Sequence, residues 1–373
     1  MKKNLTKNIA ILAPSKNAYS ETFIQAHKEL LAGNIFYYYG SLENTTLEGR
    51  GILNKTNKKL FYKFKKFFLK KSHVWYYEQF FLESFKKNKI EVIFAEYGPT
   101  AQQCLSIAQK LNLPLIVHFH GFDASVFDIL RKFRNYKEVF DYATYIVVVS
   151  KKMYQDLMDL GCPQNKLVYN VYGPNDDFLI VEPQFLKSQF IALGRFVDKK
   201  APYYLILSFS KVVKEYPKAK LFIAGEGVLW ATCKNLIKAL ELEDNVTLLG
   251  VISPEIFRKY LSESIGFVQH SVTAENGDSE GTPVAILEAS GAGIPVIATY
   301  HAGIPDVIVD RESGLLVEEH DYISMAARMM ELLKDREYAM KLGRTGKERI
   351  KQYFSLKRHI KVLDGLIAEA GGG

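Results

Sequence analysis

Short runs of β-branched and aromatic residues alternate along the whole chain with stretches whose apolar positions recur every three or four residues. In the first half these runs are "NIAILAP", "IFYYY", "IEVIFAEYG", "LPLIVHFHG" and "YIVVVS", and the intervening pattern predicts helices over 20–32, 99–111, 125–140 and 151–160. In the second half they are "QFIALGRF", "AKLFIAGEG", "NVTLLG", "GFVQHS" and "PVIATY", with helices predicted over 201–215, 229–240, 254–261, 282–291 and 322–334. Strands that are apolar throughout and separated by helices belong to parallel sheets covered on both faces. Two such series predict an α/β chain of two doubly wound, Rossmann-like domains. The segment Tyr172–Ser188, rich in Pro, Asn and Asp, marks the joint. The expected organisation is a first domain over 1–173, a linker over 174–188, a second domain over 189–345 and a C-terminal helix over 346–373 that crosses back to the first domain. In open sheets of this kind ligands bind beyond the carboxyl ends of the strands, so the site is expected in the cleft between the domains.

A chain of 373 residues with 48% hydrophobic and 24% charged positions has an ordinary globular composition, which excludes disorder and collagen. No apolar run approaches the roughly 18 to 20 residues that span a bilayer. The start "MKKNLTKNIAILAPSKN" is basic, yet its apolar stretch from Ile9 to Ala13 is too short for a secretory leader, so the expected location is the cytoplasm. Cys104, Cys162 and Cys233 are odd in number and widely spaced, with no CxxC pair, so neither disulfides nor a metal site is expected.

The net charge of +8 changes the picture because it is uneven. Residues 1–180 hold 25 Lys and Arg against 16 Asp and Glu, while the remainder is nearly balanced. Within Lys55–Lys71 eight lysines surround Phe61, Tyr62, Phe64, Phe67 and Phe68, with no acidic residue between Glu48 and Glu78. A helix through Leu60, Phe64, Phe67 and Phe68 would carry an apolar face rimmed by lysine, suited to an anionic membrane surface. The alternative is a basic surface helix whose aromatics enter the core. Nucleic-acid binding is not expected, since no motif or repeat accompanies the charge.

Candidate chemistry sits at strand ends. "GRFVDKKAP" places Arg195 and Lys200 on one loop that opens a helix, where two cations, backbone N–H groups and the helix dipole would suit a diphosphate; an ordinary solvated loop is the competing reading. In "EGTPVAILE", Glu280 precedes Gly281, Thr282 and Pro283, and Glu288 follows eight positions later. If both acids share a helical face, with Pro283 in the first turn, they lie roughly 12 Å apart, about the span from ribose to hexose in a nucleotide sugar. A surface acid at each end of a helix is the plainer alternative.

Together these segments resemble the retaining glycosyltransferases of family four. "EGTPVAILE" has the two glutamates separated by seven residues that mark the family, and "GRFVDKK", "GEG", "GIPDVI" and "SGLLV" fall in its usual order. "YSETFI", "HFHGFD" and "QHSVTAENGDSEGTPVAILEA" are similar to the branch acting in exopolysaccharide, capsule and colanic-acid synthesis. The first of these replaces the Gly-Gly loop of other members. The resemblance covers essentially the whole chain and implies a GT-B fold. It further implies that Arg195 and Lys200 bind the donor diphosphate, Glu280 the donor sugar and Glu288 the ribose. Gly225, Glu226, Val251 and Ile252 would lie near the base, Gly281, Thr282 and Pro283 beside the phosphate, and His120 at the anomeric centre. His270 and Glu275 would border the donor pocket.

His118 is expected on the opposite strand face from His120, in a structural role, and Asp123 either caps a helix near Ala124 or enters the cleft. No Asp-x-Asp occurs, so no metal-chelated diphosphate and no cofactor beyond a UDP- or GDP-sugar donor is expected. The leading expectation is hexosyl transfer to a lipid-linked or polysaccharide acceptor, with peripheral contact to the inner membrane face. A sugar-nucleotide epimerase, a phosphorylase with a pyridoxal-phosphate lysine, and a non-catalytic carbohydrate- or membrane-binding protein of the same fold are the alternatives.

Overall fold

A computed structural model describes residues 6–16 and 21–371. Tyr19 and Ser20 of "YSETFI" lie outside the described residues. The first sheet has eight strands in the order β4-β3-β2-β1-β5-β6-β7-β8: β1 Asn8–Ala13, β2 Asn34–Tyr39, β3 Thr46–Leu47, β4 Gly51–Ile52, β5 Val92–Glu96, β6 Leu115–His118, β7 Tyr145–Val148 and β8 Leu167–Tyr169. The second has six, ordered β11-β10-β9-β12-β13-β14: β9 Gln189–Leu193, β10 Lys220–Ala224, β11 Val246–Gly250, β12 Gly266–Gln269, β13 Val296–Thr299 and β14 Gly314–Val317. Both are parallel as expected, except that β3 and β4 form an antiparallel edge on β2. Strands β5, β6, β12, β13 and β14 are buried at every position, so side chains cover both faces.

Three sequence expectations are corrected. Residues 125–140 form no single helix: Phe122–Ser125, Phe127–Lys132 and Lys137–Tyr142 are separate, because Val126 is extended and Arg134, Asn135 and Tyr136 all adopt positive φ. A boundary at 345/346 would fall within the continuous helix Arg336–Tyr353, which packs on the second domain. The crossing element is the next helix, Leu356–Ala370, whose Ile360, Leu363 and Ile367 join Ile9, Ile11, Val92 and Phe94 in the first domain's core. The segment after Lys55 does form a helix, Lys59–Phe68, but only Tyr62 turns inward; Leu60, Phe61, Phe64, Phe67 and Phe68 are all exposed, against the reading in which its aromatics enter the core.

Candidate active site

Between the two sheets lies a cleft of about 560 Å³. The second domain contributes Arg195, Lys199 and Lys200 from the loop after β9, Gly225 after β10, and Val251 and Ile252 after β11. Glu280, Gly281, Thr282 and Pro283 line it from the loop before the helix Val284–Ala292, and Glu288 from that helix. The first domain contributes Glu21, Phe23, Tyr97, His120 and Tyr172. These are the carboxyl ends of parallel strands in both sheets, where a doubly wound fold leaves its crevice.

Glu226 is not among the lining residues. The chain turns at Gly225, whose φ of +124° and whose approach to Gly194, where a Cβ would stand 2.0 Å from the carbonyl oxygen, leave Glu226 exposed. His270 also lies elsewhere, fully buried, with Nε2 accepting from His320 N–H at 3.0 Å; Glu275 is exposed.

The two glutamates do not share a helix. Pro283 caps it in extended conformation, and Val284 is the first helical residue, so Glu280 sits on the preceding loop and the helical-rise argument does not apply to it. That loop is pinned from several sides. Thr282 Oγ1 donates to the Val149 carbonyl across the cleft at 2.6 Å, and Glu280 N–H donates to His301 Nε2 at 3.0 Å. Gly281 allows the domains to touch: a Cβ there would stand 2.2 Å from the His120 carbonyl oxygen.

Charge is concentrated in this region. Lys200 Nζ lies 3.2 Å from Glu280 Oε1, with the side chains 14% and 9% exposed. Lys199 is tied instead to Asp278 at 2.8 Å. Burial opposes ionisation of Glu280, but Lys200 and Lys199 outweigh it and hold the carboxyl down at about 2. Burial lowers the Lys200 pKa, with Glu280 opposing. Glu288 has only Arg258 to offset its desolvation, and its carboxyl is pushed up to about 8. One acid is therefore ionised and the other protonated at neutral pH.

His120 follows β6, and both of its ring nitrogens are engaged. Nε2 lies 2.9 Å from Glu96 Oε2, and Nδ1 meets the Tyr172 hydroxyl. Burial pushes the Tyr172 phenol far up, so it donates to Nδ1 while Nε2–H donates to the carboxylate. His120 thus meets the cleft with its ring and its carbonyl. His118 is on the same side as His120, contrary to expectation: the rings stack with centroids 4.5 Å apart. Positions two apart along a strand share a face, and it is Phe119 between them that turns the other way, toward Tyr136. Asp123 neither caps the helix near Ala124, since it lies within Phe122–Ser125, nor enters the cleft. It is buried and accepts from the N–H groups of Gly98, His120 and Gly121, each at 3.0 Å, so it clamps the strand-end loop.

Sequence reasoning missed Glu96, Tyr97, Tyr172, Glu21 and His301. Glu96 had a signal, as the one acid closing the otherwise apolar strand "VIFAE". Glu21 lies within "YSETFI" but was given no role there, and the others come from separate elements and carry no local pattern.

Residues 184–349, which hold all of the second sheet and its half of the cleft, match the family described as Glycosyl transferases group 1. The match covers the second domain, 166 of the 373 residues. Among curated relatives, it is 27% identical over 249 residues to the putative colanic acid biosynthesis glycosyltransferase WcaL of Escherichia coli, covering 65% of this chain and 61% of that one. It is 31% identical over 218 residues to the amylovoran biosynthesis glycosyltransferase AmsK of Erwinia amylovora, covering 57% and 54%. The matches thus span little more than half the length of these relatives. Among solved structures, sucrose-phosphate synthase from Thermosynechococcus elongatus superposes with a TM-score of 0.77 at 17% identity, over 97% of this chain and 98% of that one. Anabaena HepE in complex with UDP gives 0.75 at 13% identity, over 98% and 100%. At these identities the likeness is one of fold, and that fold is GT-B.

Proposed function

We propose that the protein is a retaining glycosyltransferase that moves a hexose from a UDP- or GDP-sugar to a lipid-linked or polysaccharide acceptor in surface-glycan synthesis. The observation that carries this reading is the convergence on one cleft of Arg195, Lys200, Glu280 and Glu288 from the group 1 domain, facing His120 from the other. WcaL and AmsK are named for exopolysaccharide synthesis, and HepE has been crystallised with UDP-glucose.

In this mechanism Arg195 and Lys200 hold the donor diphosphate without a chelated metal. The Lys200–Glu280 contact lies off hydrogen-bond geometry, so the buried Glu280 Oε1 has no hydrogen-bond donor among the described residues; a sugar hydroxyl supplies one. Glu288 receives the ribose hydroxyls. The bond between the anomeric carbon and the diphosphate oxygen breaks as the two cations take up the developing charge. The acceptor oxygen attacks from the same face, and its proton passes to the departing phosphate oxygen. His120, with both nitrogens engaged, orients rather than transfers a proton, its ring and carbonyl bounding the anomeric position.

The exposed apolar face of the helix Lys59–Phe68, flanked by Lys63, Lys65, Lys66 and Lys70, supports peripheral contact with an anionic membrane where a lipid-linked acceptor resides. No helix of the described residues is long and apolar enough to cross one. The test is a thermal-shift panel of UDP- and GDP-sugars, followed by assay of nucleoside diphosphate release with and without acceptor. A donor present at 100 times its Kd raises stability by about 2.7 kcal/mol. Binding with release only when acceptor is present supports transfer. Release or epimerisation without acceptor favours another chemistry on this fold, and no binding at all defeats the reading.

A further inference from the structure

Next to His120, but outside the cleft lining, the protein packs three more imidazoles together. His27 comes from the helix Thr22–Leu30, His118 from the end of β6 and His359 from the crossing helix Leu356–Ala370. Their exposures are 0%, 0% and 1%, and one ring nitrogen from each lies within 4.8 Å of the others.

Counting protons shows that this cluster lacks a partner. Glu96 stands between two imidazoles, with Oε1 2.7 Å from His27 Nδ1 and Oε2 2.9 Å from His120 Nε2, and its carboxylate accepts from both, so His27 Nδ1 is a donor. The Val171 carbonyl also only accepts, so His359 Nδ1, 3.1 Å away, donates as well. Each ring then turns its Nε2 toward the other at 2.8 Å, and in a neutral imidazole protonated at Nδ1 that atom is a bare lone pair. Two lone pairs at this distance repel unless one cation binds both. His118 adds an independent sign, since neither of its nitrogens has a hydrogen-bond partner among the described residues. Buried polar atoms are seldom left so.

We propose that His27, His118 and His359 form a binding site for a divalent cation of the zinc class, which fastens the crossing helix to the first domain. Three imidazoles are the donor set such an ion takes, with bonds of about 2.0–2.1 Å. The outer contacts match what accompanies metal-bound histidine, namely one ring held by a carboxylate and another by a backbone carbonyl. Tetrahedral bonds of that length separate ligand nitrogens by roughly 3.3 Å, so the facing pair opens by about half an ångström. A single proton shared between His27 and His359 is the competing occupant, but it leaves His118 without a partner. The site is separate from the residues assigned to the donor diphosphate, so the reading of phosphate binding without a metal stands independently of it.

The experiment strips the full-length protein with a chelator, then titrates it with Zn²⁺ by calorimetry and with Co²⁺ by visible absorption. The expected result is one saturable equivalent, a raised Tm and the strong d–d absorption of four- or five-coordinate cobalt. His118→Phe and His359→Gln should each abolish that equivalent, Glu96→Gln should weaken it about 10- to 100-fold, and His73→Gln, on an exposed side chain, should leave it intact. Should a variant fail to fold, histidine ¹⁵N spectra of the wild-type protein decide the matter, since zinc must shift the resonances of all three rings. The proposal is overturned if zinc does not bind saturably, if binding survives both histidine variants, or if excess zinc leaves a shared His27–His359 proton in place.

Discussion

Lys200 Nζ and Glu280 Oε1 stand 3.2 Å apart in the cleft, each the nearest opposite charge to the other, although one is assigned to a phosphate and the other to a sugar. Without a ligand, each neutralises a charge that burial makes expensive. In the proposed mechanism a bound diphosphate takes over as partner of the ammonium and the carboxylate turns to sugar hydroxyls. On that reading the pair serves stability in the empty protein and transition-state binding in the occupied one.

Glu280→Gln should lower turnover by about 10² or more, because it removes an interaction made most strongly in the transition state. Lys200→Met should behave differently in the empty protein: it leaves a buried carboxylate with only Lys199 and His301 nearby and should cost about 3 kcal/mol in denaturant unfolding. Steady-state kinetics on the first variant and urea titration of the second test the dual role. Wild-type turnover in Glu280→Gln would remove that residue from the mechanism.

Glu288 makes stability depend on pH in the unusual direction. Its carboxyl titrates near 4.5 when unfolded and at about 8 in the folded chain, so between those values the folded state binds the extra proton. Stability from this group is present at low pH and falls as pH rises through the window. The wild-type protein should therefore lose more of its Tm between pH 5.5 and 8.5 than Glu288→Gln does. Parallel Tm curves for the two would show that the acid is not held protonated.

Tyr172 and His120 belong to the first domain, across the cleft from the residues proposed to hold the nucleotide. Tyr172→Phe leaves Nδ1 of the buried His120 without its donor and should cost about 1 to 3 kcal/mol in stability. UDP affinity should stay unchanged while turnover falls, because the proposed diphosphate and ribose contacts lie across the cleft. A loss of UDP affinity equal to the loss of turnover would place His120 in donor binding instead.

What the sequence revealed follows the physics of each element. Buried parallel strands such as "VIFAE" and "PVIAT" were legible because a strand covered on both faces is apolar at nearly every position. The edge strands Thr46–Leu47 and Gly51–Ile52 were not, since two residues carry no period. Nor was the break at Arg134–Tyr136, where three consecutive left-handed residues occur without a glycine or proline to announce them. Glu280 and Glu288 were found by their spacing, yet the geometric reason given for that spacing was wrong, because Pro283 begins the helix after Glu280 rather than within it. The network through Glu96, His27, His359 and Tyr172 draws on separate elements that meet only in three dimensions, and no period or motif along the chain announces it.

The helix Lys59–Phe68 separates membrane binding from folding in one experiment. Phe64, Phe67 and Phe68 are 66%, 78% and 63% exposed, so replacing all three by serine removes almost no buried surface and should change stability by about 0.5 kcal/mol or less per site. Binding to vesicles containing anionic lipid should nonetheless drop sharply, since those rings are the apolar surface available for insertion. Replacing Lys63, Lys65, Lys66 and Lys70 by glutamine should weaken the same binding by roughly 1 kcal/mol per lysine and remove most of its salt dependence. Neutral vesicles should be insensitive to the lysine changes but still respond to the serine changes. Vesicle binding that is identical in all three proteins would leave the helix a solvated feature of the surface and shift the search for an acceptor away from the membrane.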